Sequence, residues 1–156
     1  MARLLSEDQD CVSDLRIIAR QRKDLESEQL KEKQQWQKID IQLRSGARQF
    51  LSEETADVML CRSPHDEAGN FIQLLEQMLD KKRDEVLFEP SEPSFEISLA
   101  RTKRGGIKVE AWIDAGNGTT GIYTWDAAGV RFYTTDESLR DFVAEMKREF
   151  KIDAGT

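Results

Sequence analysis

Between residues 86 and 134 the chain alternates apolar and polar side chains in short runs separated by turn residues, and this pattern constrains the fold most. Phe95, Ile97 and Leu99 are interleaved with Glu96 and Ser98, and Ile107, Val109, Ala111 and Ile113 with Lys108, Glu110 and Trp112. Successive side chains of a strand point to opposite faces, so a period of two predicts strands with one face buried. Gly105-Gly106 and Gly116-Asn117-Gly118 supply the positive φ that tight hairpins need. Two more strands are expected over residues 121–125 and 130–134, joined by a turn at Asp126-Ala127-Ala128-Gly129. Phe88-Glu89-Pro90-Ser91-Glu92-Pro93 leads into this block as extended chain, because its prolines remove donors and bias Glu89 and Glu92 away from helix.

Helical periodicity flanks the block. Ser63-Pro64 is a helix start, and Ala68, Phe71, Ile72, Leu75, Met78 and Leu79 form an apolar stripe within residues 64–82, closed by Lys81, Lys82 and Arg83. A last helix over residues 136–149 is capped by Thr134, in a capping box with Glu137, or by Thr135, and buries Leu139, Phe142, Val143, Met146 and Phe150. Upstream, residues 36–43 alternate as a strand, with residues 49–51 and 57–62 as partners; the competing reading is one helix running on to Gly46. Residues 6–35 contain no Gly or Pro and are rich in Glu, Gln, Lys, Arg and Leu, which predicts a long helix. Val12, Leu15, Ile18 and Leu25 mark its seam, but Arg22, Gln29 and Glu32 interrupt it, so a solvated helix is favoured over a self-associating coiled coil. A homodimer or scaffold built through that helix is the alternative.

The expected fold class is therefore α+β: an antiparallel β-meander of five to seven strands packed against two helices. A charged helical arm, residues 1–35, precedes an α+β domain, residues 36–150, and a disordered tail, residues 151–156.

Charge and composition narrow the function. The net charge of −7 argues against a nucleic-acid surface, which draws its affinity from clustered Lys and Arg. No apolar run approaches the roughly 20 residues that span a bilayer, and no signal-peptide core follows Met1, so no membrane association and a cytoplasmic location are expected. Cys11 and Cys61 are too few for a disulfide framework. The one histidine, His65, falls in the first turn of a helix, and no His/Cys cluster has zinc spacing, so no metal, no cofactor and no catalysis are expected. Asp114 and Asp126, at strand ends, read as turn residues before they read as an acid pair.

What remains is an aromatic face. If Ile107, Val109, Ala111, Ile113, Ile122, Val130 and Phe132 point to the core, alternation throws Trp112, Tyr123, Trp125 and Tyr133 to the other side, beside Lys108, Glu110 and Arg131. Either another segment covers these rings, or they anchor a partner, as Trp and Tyr commonly do. In the second case Glu89, Glu92, Glu110, Asp114 and Asp126 are the steering charges.

Phe88-Glu-Pro-Ser-Glu-Pro-Ser-Phe95, Trp112-Ile-Asp-Ala-Gly-Asn117, Tyr123-Thr-Trp-Asp126 and Gly129-Val-Arg-Phe132, followed by a closing helix, resemble the WapI-type immunity proteins of bacterial polymorphic toxin systems over about residues 70–150. The resemblance implies a small cytoplasmic α+β protein that binds and neutralises a cognate toxin without catalysis. The acidic charge would suit a basic toxin domain such as a nuclease.

Overall fold

The computed structural model describes residues 1–8, 12–19, 36–46, 48–51, 59–61, 67–89, 95–114 and 127–151. These form nine strands and two helices: β1 Ala2–Leu5, β2 Ser13–Ala19, β3 Trp36–Ser45, β4 Arg48–Leu51, β5 Met59–Cys61, α1 Glu67–Leu79, β6 Glu85–Phe88, β7 Phe95–Arg101, β8 Ile107–Asp114, β9 Ala127–Thr134 and α2 Asp136–Phe150. Two antiparallel sheets result. One has the order β1-β2-β3-β4, with β5 also pairing β3; the other is the meander β6-β7-β8-β9.

The meander follows from its alternation. Register sets Phe95 opposite Ile113, Leu99 opposite Val109 and Val109 opposite Phe132, so one face of three strands is apolar up to its last row, where Arg101 and Thr134 flank Ile107. That face is buried, and it joins Leu4, Leu15, Ile17, Ile39, Ile41 and Leu43 of the first sheet in one hydrophobic cluster. Phe71 of α1 enters the same cluster by stacking on Phe88, ring centroids 4.3 Å apart. Helix α2 buries all five residues of its expected stripe. Thr135 is its cap, accepting from Ser138 N, and Asp136 and Glu137 lie at the positive end of the dipole.

Two side-chain devices tie the elements together. Arg101 Nη2 donates to Met78 O (2.9 Å) at the end of α1 and to Asp136 Oδ1 (2.9 Å) at the start of α2, joining both helix ends to the β7–β8 hairpin. The outer edge of β1 is met by side chains instead of by a paired strand: from α2, Glu145 Oε2 accepts from Arg3 N (2.8 Å) and Ser138 Oγ from Leu5 N (3.3 Å), and at the end of β9 Thr134 Oγ1 donates to Leu5 O (2.6 Å). Three backbone groups that would otherwise invite another chain, Arg3 N, Leu5 N and Leu5 O, are satisfied.

Several expectations are corrected. Residues 13–19 are not helical: Leu15 and Ile17 point to the core while Asp14, Arg16 and Ile18 point away, and β2 lies between β1 and β3. The i, i+3 spacing of Val12, Leu15 and Ile18 imitated a helix, whereas the β-branched pair Ile17-Ile18 and the buried partners Leu43 and Ile41 settle a strand. An oligomerising helical arm loses its premise there; residues 20–35 lie outside the described residues. Residues 36–45 form a strand, which removes the reading of a helix continuing to Gly46. The strand count exceeds five to seven because the first strands build a second sheet. Ala127–Gly129 form no turn but pair with residues 112–114 of β8. The expected strand at 121–125, the Ser63-Pro64 start, the Glu92 segment and the tail beyond Lys151 fall outside the described residues.

Candidate functional site

Register on the outer face of the second sheet determines which side chains are neighbours. Glu96, Trp112 and Gly129 form one row across β7, β8 and β9; Leu87, Ser98, Glu110 and Arg131 form the next across all four strands; Glu85, Ala100, Lys108 and Tyr133 form a third. Glu89, just past β6, adds a carboxylate beside Glu96.

The face is apolar at three points. Leu87 is 56%, Trp112 37% and Tyr133 48% exposed, and among the described residues the other large exposed hydrophobic is Met1. Trp112 lies down on β9 because position 129 is glycine: a Cβ there would stand 2.5 Å from the indole and 2.5 Å from Ala111 O. The missing side chain lets the ring pack flat on backbone with its other side in solvent. Beside Tyr133 an open cavity of about 600 Å³ is lined by Glu7, Thr102, Lys103, Arg104 and Gly106.

The charges divide into two groups. Glu110 is paired with Arg131 (Nε to Oε1, 2.6 Å) and Lys108 (3.4 Å). Glu96 is different. Its carboxyl is pushed above the usual range by partial burial first, then by a hydrogen bond with Glu89 and by the negative charges of Glu89 and Glu110. Glu85, Glu89 and Glu96 thus make one side of the face acidic.

Of the expected partner-binding residues, the structure brings Trp112, Tyr133, Glu110 and Glu89 to one face. Asp114 ends β8, but its side chain lies outside the described residues, as do Tyr123, Trp125, Asp126 and Glu92. Glu110, expected as a steering charge, lies on this face between two cationic neighbours, Lys108 and Arg131. Sequence reasoning missed Leu87 and Glu96, although alternation in Val86-Leu87-Phe88 and Phe95-Glu96-Ile97 points both outward. Among the described residues no group of three or more His, Cys, Asp or Glu could hold a metal, and no helix is long and apolar enough to cross a membrane.

Comparison with known proteins returns a family model described as the immunity protein WapI-like family, matched over residues 3–152. No curated protein matches the chain.

Proposed function

Because the chain belongs to the immunity protein WapI-like family, whose membership implies a toxin-neutralising role, we propose that it neutralises a cognate protein toxin in the cytoplasm by stoichiometric binding without catalysis, through the outer face of β6–β9. One observation carries the choice of face: apart from Met1, the large exposed hydrophobics of the described residues, Leu87, Trp112 and Tyr133, gather there. Isolated exposed hydrophobics need no explanation, but three on one sheet face with a polar surround match the anatomy of a binding patch. Tyr and Trp have two χ angles and lose little entropy on ordering, so they suit the centre of an interface.

The carboxylates set the kind of partner. Glu85, Glu89 and Glu96 border the apolar patch, and the net charge of −7 extends the same sign over the molecule. A basic toxin domain, such as a nuclease, would be steered to this face at long range. The test uses a toxin domain encoded beside this chain, expressed with its activity disabled. Glu89→Lys should slow association several-fold at low salt, with the difference vanishing towards roughly 0.5 M salt and dissociation unchanged. Equal association rates at every ionic strength would remove this face from the encounter.

A further inference from the structure

The first sheet carries a second polar site, of opposite sign. Alternation places Arg3, Asp14, Arg16 and Arg44 on the face turned away from the core, and register sets Arg3 opposite Arg16 and Asp14 opposite Arg44. Asp14 Oδ2 accepts from Arg3 Nε (3.0 Å) and Nη2 (2.8 Å) and from Arg16 Nη2 (3.3 Å), with Arg44 Nη2 also 2.8 Å away. The aspartate side chain is 1% exposed, whereas those of Arg3, Arg16 and Arg44 are 32%, 24% and 32% exposed. One buried carboxylate therefore orders three half-open guanidinium groups.

Balancing Asp14 does not need three arginines. Among the described side chains one guanidinium neutralises it; the second and third add repulsion and leave two positive charges, in a protein of net charge −7. Donors also remain in excess, since three guanidinium groups carry about fifteen N–H and one carboxylate has about four lone-pair sites. Among the described residues the buried Nε of Arg44 has no hydrogen-bond partner, while Arg16 Nε and Asp14 Oδ1, each also without a hydrogen bond, face one another at 3.2 Å as an ion pair.

We propose that this cluster is an oxyanion site for a compact dianion of the phosphate class, either inorganic phosphate or the phosphomonoester of a small molecule. The residual of two positive charges matches the roughly −1.5 to −2 of a phosphomonoester near pH 7, while a single carboxylate would leave one charge unbalanced. Guanidinium forks fit phosphate oxygens in bidentate fashion, and Asp14 has already ordered the side chains, so little rotamer freedom is lost on binding. A nucleic acid is disfavoured because the rest of the molecule repels a polyanion.

Inorganic phosphate titrated into the full chain at constant ionic strength, with chloride as the balancing anion, tests the site through arginine side-chain Nε–Hε resonances. Saturable shifts are expected for Arg3, Arg16 and Arg44 and not for Arg101, which lies outside the cluster with its Nη2 on Asp136 and Met78. Arg44→Gln should weaken binding about tenfold or more and abolish the rise in unfolding midpoint that phosphate gives the natural chain. If that variant does not fold, Arg16→Gln is read in the same way. Phenyl phosphate binding more tightly than inorganic phosphate assigns the site to a phosphomonoester, and the reverse assigns it to the free ion; either outcome supports the site. Linear shifts that never saturate, shifts reproduced by chloride, or unchanged affinity in both folded variants would overturn it.

Discussion

At the scale of single residues, Gly129 and Glu96 carry consequences out of proportion to their size. A methyl group at position 129 meets a backbone carbonyl 2.5 Å away, and backbone cannot rotate aside as a flexible side chain can. Gly129→Ala should therefore destabilise the fold by about 1–3 kcal/mol, the usual range for overpacking, and lift Trp112 from the sheet. Urea unfolding measures the first effect and tryptophan emission the second; an unchanged midpoint would mean that β9 yields easily. Glu96 makes a pH prediction. Its native carboxyl holds a proton more tightly than the unfolded chain does, so the stability this contributes is fully present below the ordinary glutamate range. It is lost as pH rises through the raised native value. Glu96→Gln should raise the unfolding midpoint relative to the natural chain at pH 7 and lose that advantage in acid. Parallel profiles at all pH values would show that Glu89 and Glu110 do not burden it.

At the scale of elements, α2 serves as packing helix and as edge cover. Glu145→Ala leaves the Arg3 N–H without its partner and should cost about 1–3 kcal/mol, with faster hydrogen exchange at that amide. Glu145→Gln should retain most of the protection. Just beyond helix α1, Lys81 has a φ of 58°, a left-handed conformation that favours glycine, and Lys82 N closes the turn on Gln77 O. Lys81→Gly should stabilise the protein by up to about 1 kcal/mol. These elements differ in how legible they are. The stripe of α2 and the strands β7 and β8 could be read because burial repeats without interruption at 3.6 or 2 residues. Residues 13–19 could not, because Leu15 and Ile18 satisfy a helical spacing and only the pairing with β1 and β3 decides between Ile17 and Ile18 as the core residue. Gly129 read as a turn exit because glycine marks turns; its use as a seat for Trp112 depends on a neighbour in another strand.

At the scale of the whole molecule, two sheets and two helices share one hydrophobic cluster, which leaves two outward sheet faces of opposite character. The face of β6–β9 was partly legible, since alternation alone turns Trp112 and Tyr133 outward. That Leu87 and Glu96 join them, and that Glu110 pairs with Lys108 and Arg131, depends on register. The arginine cluster was not legible at all: Arg3, Asp14, Arg16 and Arg44 converge only once β1, β2 and β3 are paired. The central claim is that the aromatic face binds a toxin and does not merely pack. Trp112→Ala decides it when the affinity for the toxin domain and the urea unfolding midpoint are measured on the same sample. A loss of about 2 kcal/mol or more of binding, mostly in the dissociation rate, is expected with only a small change in midpoint. An unchanged affinity together with a fall in midpoint as large as a core truncation gives would contradict it.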